Sequence, residues 1–336
     1  MTATAQELLA TRHLDIHLLG QLADEVATVE TELRRLIASR TDAVEQVARL
    51  TLEAGGKRLR PALVSLCAKA TQLPFNSARV VELGAAVEMI HMATLIHDDV
   101  IDEARTRRGR PTAAAEFGNT TAILSGDVLL AKAMAILAND ADIPTIQAVS
   151  NAVVAMSESE VQEVSVRGRF DLSEDEYNAI VGGKTARFVE VCCELGALVT
   201  HAPESVRAAL RTFGYHVGFA FQIVDDLLDY RGDHRTGKAT GTDFRDGQMT
   251  LPLIYLRENL SEAEGAIARH RFGNGASEDE IRMIAGWMDT RNAFARCESL
   301  AIWHVDTALA ALREIPASGS RDVLEAVAEY VLQRRV

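Results

Sequence analysis

Two copies of the pattern Asp-Asp-x-x-Asp occur in this chain, at residues 98–102 and 225–229. On an α-helix the first and fifth positions differ by about 40° of azimuth, so the outer aspartates of each copy share one face. Carboxylates one turn apart are good ligands for Mg²⁺, which keeps several waters and also binds substrate phosphates. Asp99 and Asp226 point about 100° away, so we expect weaker or indirect roles for them. The motifs predict a metal site with four leading ligands: Asp98, Asp102, Asp225 and Asp229.

Three basic segments interrupt the helical pattern, each beside a glycine. Residues 55–61 read GGKRLRP, residues 105–111 contain four arginines with a glycine and a proline, and residues 182–185 read GGKT. Arginine forks match phosphate oxygens bidentately, and glycine lets the backbone approach a ligand closely. These cations stand out because the chain has a formal net charge of −13. They predict two anionic ligands, one held through magnesium and one by direct ion pairing.

Two further polar residues share helix faces with the acidic motifs. Gln222 lies three residues before Asp225, where its amide could orient a ligand or polarise a developing charge. His91 lies seven residues before Asp98. We interpret His91 either as a phosphate donor or as a satisfied core residue, since a lone histidine on an apolar helix is commonly the latter. His97 points to another face and is predicted to be structural.

Apolar residues recur at spacings of three and four along the chain, and no segment alternates with the period of a strand. Aromatic residues make up 5% of the chain and only 7 prolines interrupt it, which favours helices. The pattern predicts an all-α fold in a single domain spanning residues 1–336. The predicted helices cover residues 13–39, 41–54, 59–71, 76–102, 117–138, 143–168, 173–182, 184–200, 203–230, 249–258, 277–288, 292–313 and 321–334, the last capped by Ser320.

Composition and the N-terminal sequence exclude several classes of function. An acidic chain without a basic footprint is not expected to bind nucleic acid. The 4 cysteines show no metal-ligand spacing and no disulfide framework, which indicates a reducing, cytoplasmic compartment. Residues 1–20 lack the pattern of a signal peptide, and no uncharged apolar run approaches the about 18 residues that cross a bilayer. We expect at most peripheral membrane contact, through a bound ligand or product.

In these motifs the chain resembles the trans-isoprenyl diphosphate synthases, or trans-prenyltransferases. The match extends over residues 50–260 and comprises GGKRLRP at 55–61, EMIHMATLIHDDVIDEARTRRGRPT at 88–112, GGKTA at 182–186, FQIVDDLLDYRGDHRTGKATGTD at 221–243 and TLP at 250–252. The resemblance implies the isoprenoid synthase fold, a single bundle of long helices around a central apolar cavity, in a homodimer. It also implies three magnesium ions per active site that grip an allylic diphosphate.

The resemblance implies a role for each matching residue. Metal ligation falls to Asp98, Asp102 and Asp225, with Asp226 and Asp229 supporting the second motif. The catalytic contacts, which also bind the allylic diphosphate, are Lys184, Thr185, Gln222 and Lys238, with Arg107 as a further contact to that diphosphate. The isopentenyl diphosphate site consists of Lys57, Arg60, His91 and Arg108.

The reaction implied is head-to-tail condensation of isopentenyl diphosphate with an allylic diphosphate. Metal and cationic side chains neutralise the leaving diphosphate, the allylic C–O bond ionises, and the double bond of isopentenyl diphosphate attacks the cation. Diphosphate then takes the proton, so no nucleophilic side chain is needed. Oxygen atoms of Thr185 and Gln222, and carbonyls at the break formed by Gly182 and Gly183, would present partial negative charge to the cation.

Three places call for a separate interpretation. Residues 159–163 read SEVQE where many family members have Gly-Glu-x-x-Gln, and no role is assigned to them. Gln248 occupies a position that is often basic, which would loosen one diphosphate contact. The C-terminal Arg334 and Arg335 resemble a basic tail that closes some family sites, but we interpret them as a frayed, solvated end.

The length of the product depends on side chains below the first acidic motif, where one helical turn of about 5.4 Å is close to one isoprene unit. Thr94 lies one turn below Asp98, and Ala93 occupies the position where short-chain members carry an aromatic floor. These small side chains leave the tunnel open there, and Leu130 or Met134 of a neighbouring helix could close it further down. The sequence predicts a long-chain, all-trans polyprenyl diphosphate of about 30 carbons or more. A geranylgeranyl diphosphate synthase and the catalytic subunit of a heteromeric synthase stay as alternatives.

Three other classes of protein fit the sequence less well. A terpene cyclase shares the bundle and the first acidic motif, but it needs neither GGKRLRP nor a second Asp-Asp-x-x-Asp. A metal phosphohydrolase built on His91 and His97 would leave the arginines unexplained, and the two histidines lie on separate faces. A non-catalytic subunit of a heteromeric synthase would be expected to lose the aspartates, and all six are present.

Overall fold

The computed structural model describes residues 16–232 and 240–334. Their backbone is almost entirely helical, which confirms the all-α prediction. The helices are α1 Ile16–Leu36, α2 Asp42–Glu53, α3 Leu59–Ala70, α4 Ser77–Ile101, α5 Ala113–Phe117, α6 Asn119–Asp140, α7 Ile143–Val166, α8 Glu174–Val181, α9 Arg187–Val199, α10 Glu204–Arg231, α11 Thr242–Arg245, α12 Leu251–Arg257, α13 Glu262–Arg271, α14 Glu278–Thr290, α15 Ala293–Ala311 and α16 Gly319–Gln333. The other elements are a π-helical turn at Gly182–Ala186, a 3₁₀ turn at Leu312–Glu314 and the antiparallel strands β1 Thr106–Arg107 and β2 Arg110–Pro111.

Helix α13 was not predicted, nor were the short α5 and α11. The start of α13 carries a capping box, in which Ser261 Oγ accepts the Glu264 N–H and the Glu264 side chain accepts the Ser261 N–H. Ala268 is the only buried residue of α13, so the helix has no apolar face to produce a marked periodicity in the sequence. The last helix begins at Gly319 rather than after Ser320, because Ser318 Oγ accepts the Arg321 N–H.

The chain forms two compact units by backbone proximity. The first unit lies within residues 1–148, 192–208 and 314–326, and the second unit lies within residues 149–191, 209–313 and 327–336. The single domain expected for residues 1–336 stays a prediction.

Helix α4 forms the centre of the first unit, and α1, α3 and α6 pack against it. It is apolar on almost every side and is buried along most of its length. Helix α6 can approach it closely because position 126 is glycine: a Cβ built there would lie 2.3 Å from Nε2 of His97. The first acidic motif is at the C-terminal end of α4, so the packed core holds its backbone in place.

In the second unit, α10 carries the second acidic motif and buries an apolar face that includes Phe213, Val217 and Ile223. It approaches the π-helical turn closely because position 218 is glycine: a Cβ built there would lie 2.9 Å from Cα of Ala186. Helix α12 packs against α8, α14 and α15. The glycine contact brings the GGKT segment and the second acidic motif together.

Helices α4 and α6 are long and apolar enough to cross a membrane by length and composition alone, contrary to the prediction that no segment would be. The apolar window of α4 is 67% buried inside the structure and that of α6 is 33% buried. The core helices of soluble proteins pass the same test. Peripheral membrane contact through the product therefore stays a prediction.

Candidate active site

The first acidic motif occupies the last turn of α4, and Asp102 is the C-cap residue. Asp98 is partly exposed and Asp102 is exposed, whereas Asp99 turns inward and is 5% exposed. Asp99 Oδ1 accepts a hydrogen bond from Arg107 Nε at 2.8 Å. Burial raises the pKa of Asp99, and the nearby Arg107 guanidinium opposes that rise. The two outer carboxylates thus face solvent, and the middle one fixes an arginine.

The arginine-rich segment after this motif is a β-hairpin rather than an irregular loop. Its turn consists of Arg108 and Gly109, both with positive φ, 52° and 73°. Such a pair matches the twist of the flanking strands, in which Arg107 pairs with Arg110. Thr112 anchors the hairpin because its Oγ1 donates to the carbonyl oxygen of Ala104 at 2.7 Å. The hairpin therefore holds several guanidinium groups on a short, defined support.

The GGKRLRP segment is organised by Arg58, to which the sequence analysis assigned no role. Arg58 has a left-handed backbone (φ 47°, ψ 37°) at the start of α3 and is 7% exposed. Its Nη1 lies 2.8 Å from Glu88 Oε1, its Nε lies 3.0 Å from Glu30 Oε1, and its Nη2 donates to the Leu52 carbonyl oxygen at 2.8 Å. These bonds fix the backbone between Lys57 and Arg60.

His91 lies partly buried among cationic side chains of the first unit. Burial lowers its pKa well below the ordinary value, and the neighbouring arginines lower it further. Those arginines are Arg60, Arg108, Arg107 and Arg58. The imidazole is therefore neutral at pH 7 and stands in a strongly positive field. Such a field is suited to an anion with several negative charges, such as a diphosphate.

In the second unit, the GGKT segment does not break the helix as expected. It forms the π-helical turn Gly182–Ala186, which joins α8 to α9 without interruption. Packing requires the glycine at position 183, because a Cβ there would lie 1.9 Å from Ser159 Oγ and 3.0 Å from the Ala155 carbonyl oxygen. A Cβ on Gly182 would make a tight contact of 3.1 Å with Tyr215 Oη. From this turn Thr185 contacts Gln222 on α10, whereas Lys184 contacts two carboxylates on α7.

A hydrogen-bond chain links this turn to the second acidic motif. Thr185 Oγ1 donates to Gln222 Oε1 at 3.0 Å, and Gln222 Nε2 donates to Asp226 Oδ1 at 2.9 Å. Tyr177 Oη donates to Asp226 Oδ2 at 2.6 Å. Asp226 is 3% exposed, and burial raises its pKa to about 7 while the bonds from Tyr177 and Gln222 oppose that rise. The chain fixes the orientation of the Gln222 amide.

Lys184 is held by two carboxylates from the segment to which no role had been assigned. Its Nζ lies 2.8 Å from Glu160 Oε2 and also contacts Glu163 Oε2. Burial lowers the pKa of Lys184, but the charges of Glu163 and Glu160 outweigh it and raise that pKa above its ordinary value. The sequence departs from the family pattern here, and that departure was the one available signal for these contacts.

The outer carboxylates of the second motif have different partners. Asp229 accepts hydrogen bonds from the backbone N–H groups of Thr242 at 3.0 Å and Asp243 at 3.2 Å, at the start of α11. Asp225 Oδ1 lies 2.6 Å from Arg334 Nη1, and the Arg334 guanidinium carbon lies 4.1 Å from the centre of the Phe221 ring. The expectation of a frayed end is therefore wrong for Arg334, because a carboxylate and an aromatic face hold it. Lys238 and Arg335 lie outside the described residues.

A polar cavity of about 140 Å³ lies beside the π-helical turn in the second unit. Gln248 is part of its wall, and so is Asp243, which the sequence analysis did not single out. Burial raises the pKa of Asp243 well above its ordinary value, and the charges of Asp229 and Asp226 add to this rise. The other polar side chains of the wall include Glu163, Arg167, Lys184, Thr185, Gln222 and Asp226. The cavity thus collects the predicted allylic contacts of this unit that the structure describes.

Residues 41–286 match the family model described as Polyprenyl synthetase. The chain is 35% identical over 314 residues to heptaprenyl diphosphate synthase component 2 of Geobacillus stearothermophilus, covering 93% of this chain and 97% of that protein. A decaprenyl diphosphate synthase structure from Rhodobacter capsulatus matches with TM-score 0.89 and 34% identity, over 94% of this chain and 98% of the other. A polyprenyl synthase from Caulobacter crescentus, complexed with calcium and isoprenyl diphosphate, matches with TM-score 0.87 and 30% identity, over 99% and 98%.

The chain therefore belongs to the polyprenyl synthetase family, whose members are prenyltransferases. These matches confirm the predicted family, the isoprenoid synthase fold and the predicted activity, which is elongation of a prenyl diphosphate to a long-chain product. The role of each site residue, and the expectation that the two acidic motifs face one another, stay predictions.

Proposed function

We propose that the arginine cluster of the first unit binds isopentenyl diphosphate and that the two acidic motifs hold Mg²⁺ together with the allylic diphosphate. The observation that carries this proposal is the position of His91, which lies close enough to four guanidinium groups for their charges to add to the lowering of its pKa by burial. Glu30 and Glu88 pair with Arg58, and Asp99 pairs with Arg107. This concentration of guanidinium groups favours a dianionic or trianionic ligand. The proposed isopentenyl diphosphate contacts are Lys57, Arg60, His91 and Arg108.

The carboxylates of the two motifs are better suited to Mg²⁺ than to a metal whose ligands all come from protein side chains. In residues 16–232 and 240–334, no three acidic, histidine or cysteine side chains converge enough to hold a metal ion by themselves. Magnesium is commonly held by one or two carboxylates, with waters and substrate phosphates in its other positions. The proposed ligands are Asp98, Asp102 and Asp225, supported by Asp226 and Asp229. Bound Mg²⁺, three ions in our proposal, would neutralise charge on the leaving diphosphate.

The side chains of the chain itself supply orientation and charge stabilisation. Lys184 and Arg107 would bind the allylic diphosphate, with Lys238 as the matching residue outside the described part. The Thr185–Gln222–Asp226 hydrogen-bond chain holds the Thr185 hydroxyl and the Gln222 amide oxygen in place, and these oxygens would face the developing allylic cation. Diphosphate takes the proton, and closely packed helices exclude water from the cation.

We also propose a homodimer, a cytoplasmic location and a product length of about 30 carbons or more. Ala93, one of the small residues below the first motif, supports that length, as do relatives named for heptaprenyl and decaprenyl synthesis. Apolar side chains that are exposed in the single chain support self-association: Leu124 and Ile143 in the first unit are 58% and 61% exposed. A partner subunit is the alternative, because the relative from Geobacillus stearothermophilus is named a component.

The test is an assay of the purified chain alone with Mg²⁺, labelled isopentenyl diphosphate and farnesyl diphosphate. We expect incorporation into products of about 30 carbons or more, complete loss of incorporation in EDTA, and recovery when Mg²⁺ is added back. A product that stops at geranylgeranyl diphosphate would contradict the long-chain proposal. Activity only after a second protein is added would support the heteromeric alternative. Light scattering of the same sample measures the oligomeric state.

A further inference from the structure

Lys184 has more negative charge around it than is needed to balance one ammonium group. Glu160 and Glu163 lie one turn apart on α7, so both side chains project from the same face towards the π-helical turn. Both contact Lys184 Nζ, Glu160 at 2.8 Å. The side chains of Lys184, Glu160 and Glu163 are 30%, 18% and 22% exposed, so water screens their charges only in part. The three groups together carry one excess negative charge.

The two carboxylates differ in where they lie. Glu163 is part of the wall of the 140 Å³ cavity, beside Thr185 and Gln222, whereas Glu160 is outside that wall. The turn also lies directly against α7 at Gly183, where a built Cβ would be 1.9 Å from Ser159 Oγ and 3.0 Å from the Ala155 carbonyl oxygen. Glu160 alone would balance the charge of Lys184. Glu163 is the carboxylate of this pair that an anion in the cavity would meet beside Lys184.

We propose that Glu163 is an affinity-determining, positioning residue that competes with a bound diphosphate for Lys184. The inference rests on the proposed function, in which Lys184 contacts the allylic diphosphate. A diphosphate must share Lys184 with a carboxylate that is already in contact with it, so the site binds diphosphate more weakly than Lys184 alone would allow. A chain-elongating synthase releases one inorganic diphosphate per condensation, and weak binding favours that release.

The test measures binding of inorganic pyrophosphate to the full-length chain by calorimetry, in EDTA and again with Mg²⁺. Glu163→Gln keeps the size of the side chain and removes its charge. We expect pyrophosphate to bind on the order of fivefold more tightly, the effect of removing one partly screened like charge, and the gain to shrink as salt is added. Glu163→Asp keeps the charge and should leave the affinity near that of the wild type.

The sign of the change separates this inference from a structural role, because a purely structural loss would weaken binding. Unchanged or weaker pyrophosphate binding in Glu163→Gln, with an unaltered unfolding midpoint, would overturn the inference. The effect of Glu163→Gln should also fall below twofold in a Lys184→Gln background if it acts through Lys184. If Lys184→Gln alone leaves pyrophosphate affinity unchanged, the assignment of Lys184 under the proposed function fails instead.

Discussion

Arg334 Nη1 lies 2.6 Å from Asp225 Oδ1, so the end of the described chain supplies a counter-ion to a carboxylate of the second acidic motif. The guanidinium carbon of Arg334 also lies 4.1 Å from the centre of the Phe221 ring, in a cation–π contact. A cation at this carboxylate occupies the place where the proposed function requires a metal. Metal binding and the Arg334 contact are therefore expected to compete.

Replacing Arg334 should tighten binding of divalent metal to the ligand-free protein. Arg334→Ala removes the competing cation, and we expect the dissociation constant for Mn²⁺, used as a spectroscopic probe, to fall severalfold, on the order of 1 kcal/mol for a partly exposed pair. Arg334→Lys keeps the charge and serves as the control. Metal binding that is equal or weaker in Arg334→Ala would show that the contact with Asp225 does not oppose the metal.

Removing one outer aspartate of the first motif should abolish turnover without unfolding the protein. Asp98 is partly exposed at the end of a well-packed helix, so Asp98→Ala removes a proposed metal ligand and little packing. We expect incorporation of labelled isopentenyl diphosphate to fall by a factor of about 10³ or more, which corresponds to about 4 kcal/mol of transition-state stabilisation. Glu103→Gln changes an exposed acidic residue next to the motif and should retain activity. Wild-type turnover in Asp98→Ala would contradict the metal assignment.

Short-range spacing made the acidic motifs predictable, because residues four apart on one helix share a face in any fold. The partners of Asp226 were not predictable in that way. Tyr177 reaches it from a helix 49 residues earlier in the sequence. Tyr177 and Asp226 meet only through tertiary packing, so no local sequence pattern predicts their contact.

Arg58 shows the same limit in the first unit. GGKRLRP predicted an anion site, and Lys57 and Arg60 were assigned from it. The neighbouring Arg58 instead takes a left-handed backbone and is bound to Glu30 and Glu88, 28 and 30 residues away. A left-handed backbone is uncommon for arginine. The buried ion pairs of Arg58 with Glu30 and Glu88 stabilise that conformation here.

Ala93 tests where the prenyl chain runs. The structure places Ala93 on α4 at 2% exposure, with α6 packed against the helix. Ala93→Phe should shorten the product if an open tunnel passes this position, because the ring then takes the place of an isoprene unit. Chain length is measured by reversed-phase separation of the dephosphorylated products. The unfolding free energy is measured in parallel, since overpacking a filled core costs about 1–3 kcal/mol. Unchanged chain length in a folded variant would show that the tunnel runs elsewhere.

We expect His216 and His304 to make the stability of the folded protein depend on pH. Their Nδ1 atoms lie 2.9 Å apart, so one imidazole donates to the other, and His304 stacks on Phe219 with centroids 4.4 Å apart. Burial, reinforced by His216, lowers the pKa of His304 to about 4, and burial also lowers the pKa of His216. In the unfolded chain a histidine titrates near about 6.5. Between these values the unfolded state binds more protons than the folded state, so the folded protein is most stable above about pH 6.5.

Stability should therefore fall as the pH drops from about 6.5 towards 4, by up to about 3 kcal/mol for His304. The dependence of the unfolding free energy on pH is measured by urea unfolding at about pH 7.5, 6.0 and 5.0, values that bracket the ordinary histidine pKa. His304→Gln keeps a polar side chain that does not titrate and should flatten the slope in this window, even if it lowers stability at pH 7.5. His270→Gln changes a histidine at the exposed end of α13 and should leave the slope as it is. A slope that His304→Gln does not alter would mean that other groups, chiefly carboxylates, set the acid sensitivity of the fold.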